Sequence, residues 1–236
     1  MPSPGLRAET HHPRRASNPS WMLALAAGLG VAAIAFVTLV LWPRWPMPAT
    51  SPDAPMLPIT IGGGVFNVPS AAIRVPLQRH AGLQERIDLV FLWPSLQPPD
   101  PAARPAPTDR PNVWDRLFVT LAEATEPDPG ERLKDIYPGY LAAAGTPGPN
   151  GLTATAFRDG TPYQGEDLFV ASTDPELFAA RCSRPVGTVM PGTCLIYRRL
   201  GGAEMTVRFP RPWLGDWRHL VAGVGRILAG MRPQGA

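Results

Sequence analysis

The chain has 236 residues, a formal net charge of +3, 31 prolines, 23 glycines and two cysteines. Setting aside a polar tail, an apolar stretch and a linker leaves about 175 residues, enough for one domain with its own core. Proline and glycine at this density exclude long soluble helices as the main element. The absence of a concentrated basic run excludes a nucleic-acid-binding face.

Residues 1–20 are polar and rich in Pro, His, Ser and Arg, and cannot bury a core. They form a disordered cytoplasmic tail in this reading. Residues 21–42 carry no charge and no proline, and a single hydroxyl, Thr38. As a helix they reach roughly 33 Å, against a hydrocarbon core of about 30 Å. The stretch is predicted to be a transmembrane helix. Trp21 and Trp42 bracket it and Trp45 follows, at the depth where amphipathic indoles anchor in the membrane interface. The apolar run exceeds the usual h-region of a cleaved leader, so it is read as a retained signal-anchor. Ala24, Gly28 and Ala32 fall at four-residue intervals, a small-residue face that permits a homodimer through the helix.

Orientation follows from the arginines. Arg7, Arg14 and Arg15 against Glu9 put +2 before the span, leaving +1 for all that follows. The positive-inside rule then places the N-terminus in the cytoplasm and the rest of the chain beyond a bacterial inner membrane, in the periplasm. The bacterial source is read from the Ala-, Pro- and Arg-rich usage, with Lys134 the only lysine. Both cysteines, Cys182 and Cys194, lie on the periplasmic side. No histidine stands near them to complete a metal site, so a disulfide in an oxidising compartment is expected. It closes a short loop, worth about 3 kcal/mol in the chain-entropy account.

Residues 43–56 are a Pro-rich stalk, extended and semi-rigid. A periplasmic α+β domain is predicted over 57–232, with a mostly antiparallel sheet of about six or seven strands backed by a C-terminal helix. Residues 57–61 and 65–68 read as a strand pair about a triple-glycine turn. Residues 86–93 form a strand with Ile87, Leu89, Phe91 and Trp93 on one face. Its other face also carries Val90 and Leu92, which suggests a central position in the sheet. Residues 97–111 are a low-complexity, disordered insert. Strands follow at 115–121, 152–158 and 166–171, and a short helix around 130–137. The order Thr173, Asp174, Pro175, Glu176 is a helix-start signal, predicting a helix through about Arg181. Residues 193–199 and 203–209 alternate strongly about Gly201-Gly202 and predict a hairpin. A helix over 213–231 places Trp217, Leu220, Val221, Val224, Ile227, Leu228 and Met231 on one stripe, with Gly223 opposite.

No catalytic motif is present: no G-x-S-x-G, no H-E-x-x-H and no Walker A. No cofactor or metal is expected. Arg74, Arg79 and Arg86 form a candidate anion or lipid-headgroup patch. The expected function is an anchored periplasmic interaction or assembly module that works beside the lipid bilayer with another envelope protein. A ligand-binding or sensing domain working with a membrane partner is the alternative. An enzyme would need two or more of His80, Asp88, Tyr137, Tyr140 and His219 to converge in a cleft within hydrogen-bonding reach.

Overall fold

The computed structural model describes residues 20–41, 54–100, 115–173, 178–187 and 191–232. The chain separates into two compact units, Met1–Trp45 and Pro46–Ala236. The tail at 1–19, most of the stalk, Trp42, Trp45 and residues 101–111 of the insert lie outside the described residues.

The first unit contains one helix, α1, Ser20–Leu41, of 22 residues. Its Thr38 hydroxyl donates to the carbonyls of Ile34 and Ala35, so this polar side chain is satisfied within the helix. Described side chains in α1 cover Trp21 and residues 23–39. Among the described residues no helix is long and apolar enough to cross a membrane.

The second unit is α+β. β1 (Met56–Ile61) and β2 (Gly64–Pro69) form the antiparallel pair the triple glycine predicts, and β3 (Gly82–Leu83) adds a short parallel strand to β1. Gly62 has positive φ, and a Cβ there would collide with the Gly202 carbonyl, as one on Gly202 would with that of Gly62. Two turns therefore cross backbone against backbone, and only glycine fits at both.

The main sheet has eight strands: β4 (Arg86–Leu92), β5 (Arg116–Glu123), β6 (Thr146–Pro147), β7 (Leu152–Ala156), β8 (Glu166–Ala171), β9 (Ala179–Ser183), β10 (Thr193–Leu200) and β11 (Ala203–Pro210). Their spatial order is β4-β5-β11-β10-β9-β8-β7-β6, antiparallel throughout. This exceeds the expected six or seven strands. Between β5 and β6 the chain winds through a helical turn α2 (Pro129–Glu131), a wider π turn at Arg132–Ile136 and a 3-10 turn at Tyr137–Gly139. Asp128 and Glu131 close a reciprocal capping box at the start of α2.

Two expectations fail. Residues 86–92 do not form a central strand: β4 ends the ladder. Its near-continuous burial arises because both its faces are covered. Its free edge is met by Ile73, bridged to Leu89, and by the Arg74 N–H, which donates to the Asp88 carbonyl. Nor is there a helix running to Arg181. Residues 174–177 lie outside the described set, but Ala179–Ser183 is strand β9, paired on both sides. A few residues of helix propensity cannot outweigh two ladders of hydrogen bonds, nor the burial of Ala180 and Cys182. Cys182 and Cys194 are directly opposed across β9 and β10 and joined by the expected disulfide, Cα to Cα 4.0 Å.

One face of the main sheet is apolar: Ile87, Leu89 and Phe91, then Leu117, Val119 and Leu121, then Met205, Val207 and Phe209. It shares a core with β1, β2 and the C-terminal helix α3 (Trp217–Met231). Each such side chain, fully buried, contributes about 1.5–3 kcal/mol. The helix is fastened at its start by Trp217 Nε1, which donates to the Asn150 carbonyl at 3.0 Å. α3 thus packs on the domain along the predicted stripe, with one correction. Gly223 is buried, its missing side chain leaving room for Leu96 and Trp93.

Candidate functional site

The opposite face of the main sheet is polar and aromatic, because the same alternation that sends Met205 and Val207 inward sends Glu204, Thr206 and Arg208 outward. On β10 the outward set is Leu195, Tyr197 and Arg199; on β9 it is Ala179, Arg181 and Ser183. Two concavities open on this face.

The larger, about 350 Å³, is lined by side chains of α2 and the π turn, β8, β9 and β10. Its wall is a second, smaller apolar cluster of Tyr137, Phe157 and Leu168 with Tyr163, Tyr140 and Leu133 against it. Tyr163 meets Tyr137, Tyr140 and Phe157 with ring centres 4.9–5.5 Å apart. Arginines are set into this aromatic frame. Arg132 is buried, lies 4.4 Å over the Tyr197 ring and pairs with Glu204. Its Nε has no hydrogen-bond acceptor among the described residues, an uncompensated donor of the kind that costs about 1–3 kcal/mol. Arg181 pairs with Glu166 at 2.6 Å, sits 4.8 Å over the Tyr163 ring and donates to the Tyr197 hydroxyl at 3.2 Å. Arg199 reaches Asp128 at 3.5 Å and Glu204 at 3.9 Å. Burial pushes the Glu166 carboxyl up, with Arg181 opposing. Burial also raises the Tyr137 and Tyr197 phenols, against the pull of Arg181 and Arg132. Both phenols therefore stay neutral near pH 7 and serve as hydrogen-bonding and stacking groups.

The smaller depression, about 110 Å³, lies at the β4 end of the same face, between Arg74, Arg86, Asp88, Phe118, Thr120 and Arg208. Asp88 is its hub. The Thr120 hydroxyl donates to it at 2.8 Å, Arg86 Nη2 at 2.8 Å and Gln78 Nε2 at 3.3 Å, while its own N–H donates to Gln78 Oε1 at 2.8 Å. Burial alone would raise this carboxyl, but the donated bonds and the Arg86 charge together hold it below the usual range.

Of the predicted anion patch, Arg74 and Arg86 meet in this depression. Arg79 does not: its Nε donates to the Ile73 carbonyl at 3.0 Å and braces the loop. Among the groups an enzyme would need, only Tyr137 and Tyr140 share a neighbour, Tyr163. Asp88 is held as described, His80 leans on its own chain at Ala81, and His219 contacts Asp216 and Trp93. No metal-holding group of three or more His, Cys, Asp or Glu occurs among the described residues. Trp21 is exposed on α1. Arg132, Arg181 and Tyr197, which line the cavity, and Tyr163 and Glu166, which brace Arg181, went unmarked in the sequence. The only signal for them was the interleaving of Tyr197 and Arg199 with Ile196 and Leu200 on β10.

The sequence matches no protein family and no curated protein. Two solved structures are similar to this chain. Smlt3025, an immunity protein of the Stenotrophomonas maltophilia type IV secretion system, matches at TM-score 0.55 and 15% identity, over 76% of this chain and 94% of its own. The Neisseria meningitidis iron-regulated outer membrane lipoprotein FrpD matches at TM-score 0.45 and 8% identity, over 76% and 95%. The first likeness shows a common fold.

Proposed function

We propose that this chain is a membrane-anchored protein of the bacterial envelope whose second unit binds another protein through the polar face of its main sheet. The observation that carries this reading is that face itself. It holds arginine and tyrosine side chains around an open cavity, two residue types enriched at protein interfaces. The fold supports it, since a protein of the same fold is an immunity protein in a secretion system. We read the chain as a binding protein and not as an enzyme.

The anchor belongs to the same proposal. It rests on the sequence, where residues 21–42 carry no charge and as a full helix would reach roughly 33 Å. The disulfide suits an oxidising compartment, which supports the arginine-based orientation with the second unit in the periplasm. A small-ligand sensor is the second reading, because the larger cavity falls in the size range of ligand pockets, about 300–1,000 Å³.

Crosslinking in the native membrane followed by mass spectrometry tests the binding role. One dominant periplasmic protein is expected. A co-purifying small molecule without a protein partner would move the assignment to the sensor. A reporter fused after Ala236 that works only in the cytoplasm would overturn the topology.

A further inference from the structure

The strand register lines up a row of side chains across the polar face. Phe118 on β5 pairs with Arg208 on β11, Arg208 with Leu195 on β10, Leu195 with Arg181 on β9, and Arg181 with Leu168 on β8. Apolar and arginine side chains therefore alternate at the strand spacing, which separates Arg208 from Arg181 by about 10 Å, with Leu195 between them. The row passes beside both concavities: Arg208 lines the smaller, and Leu195 and Arg181 line the larger.

The charges along it are unbalanced. Around the smaller depression Arg74, Arg86 and Arg208 face one carboxylate, Asp88. Around the larger cavity Arg132, Arg181 and Arg199 face Glu204, Glu166 and Asp128. That makes six guanidiniums to four carboxylates on one face of a chain with a net charge of only +3. Arg208 is exposed, and among the described residues it makes no ion pair or side-chain hydrogen bond. Arg181 uses Nε for Glu166 and Nη2 for Tyr197, and a guanidinium has five N–H donors. Leu195 is half-buried, an apolar floor between two cations.

Resting on the protein-binding reading above, we propose that the partner docks through an acidic segment laid across β11, β10 and β9. The segment carries two carboxylates about 10 Å apart, one on Arg208 and one on Arg181, with an apolar side chain on Leu195 between them. The rise of a helix over seven residues meets that spacing and keeps both carboxylates on one face.

The test uses the full chain in its native membrane, with a photocrosslinking residue in place of Thr206 beside the row, or in place of Leu77, which is 80% exposed elsewhere on the unit. The Thr206 probe should capture a peptide bearing at least two acidic residues. Arg208→Glu should lower that yield about tenfold or more by placing like charges together, while Arg208→Lys keeps most of it. Arg226→Glu, on the exposed side of α3, should leave it unchanged. Arg208 is at the surface, so neither variant threatens the fold, and thermal unfolding confirms that. Capture at Leu77 with none at Thr206, an unchanged yield in Arg208→Glu, or a captured peptide without acidic residues each overturns the docking line and leaves the binding role standing. No protein captured at either position overturns both.

Discussion

The two faces of the eight-stranded sheet come from the same strands and read very differently. On the inner face the strands contribute mainly aliphatic and aromatic side chains to one shared core, where the Cys182–Cys194 pair is the specific contact. On the outer face each side chain is defined by its neighbour: Arg132 by Glu204 and the Tyr197 ring, Arg181 by Glu166 and Tyr163, Asp88 by Arg86, Thr120 and Gln78. The inner face holds the fold through area removed from water. The outer face contributes less to stability, because ion pairs give back much of their attraction in lost hydration. What it supplies is a surface whose arginines are held in place on aromatic rings and carboxylates.

The sharpest way to break this contrast is to cut one side chain from each face of a single strand. Phe209 is 1% exposed within the core, whereas Thr206 is on the outer face of the same strand. Phe209→Ala should cost about 3–5 kcal/mol in unfolding free energy, and Thr206→Ala about 0.5 kcal/mol or less, by chemical denaturation. Comparable losses would mean that the outer face is a second core.

A smaller effect tests the outer face alone. The folded state holds the Asp88 carboxyl below its ordinary value of 3.8. Its contribution is fully present above that value and is lost as pH falls through the lower folded one. Glu166 works in the opposite sense. Its carboxyl is raised above 4.5 in the folded state, so folding is favoured on acidification through the window just above 4.5. Stability measured from pH 7 downward should first gain a little and then fall. Asp88→Asn should cost about 1 kcal/mol near neutrality, chiefly by weakening the bonds from Thr120 and Gln78 since Arg86 is open to water, and should flatten the fall below pH 4 while leaving the earlier gain. A variant that keeps the full acid loss would move the acid-sensitive group away from Asp88.

The inner face was largely legible in the sequence. Alternation marked β4, β5, β10 and β11, and helical spacing marked α3, because both patterns record which side avoids water. The outer face was not, because its contacts join residues far apart: Arg132 meets Glu204 across 72 positions. Arg74 and Arg86 were marked for their charge, but so was Arg79, which the fold spends on a loop carbonyl. β9 was missed for a related reason. Its five residues have no pattern strong enough to announce a strand, and their conformation is set by the neighbours on both sides. Gly223 was assigned to the wrong side of α3 because a residue without a side chain gives periodicity nothing to register.

That glycine yields the smallest expected effect and the most local test of how the inner face is closed. A Cβ on Gly223 would come within 2.9 Å of Leu96 Cδ1, while nothing lies within 4 Å of one on Gly225. Alanine is favoured over glycine in a helix interior by about 0.8–1 kcal/mol, which is all that Gly225→Ala changes. At Gly223 the same gain is offset by pushing the Leu96 side chain from its seat against the helix. Gly225→Ala should therefore raise the melting temperature by a few degrees and Gly223→Ala should leave it level or lower it. If both stabilised equally, Leu96 would be free to yield, and the loop after β4 would be resting on α3 without being packed into it.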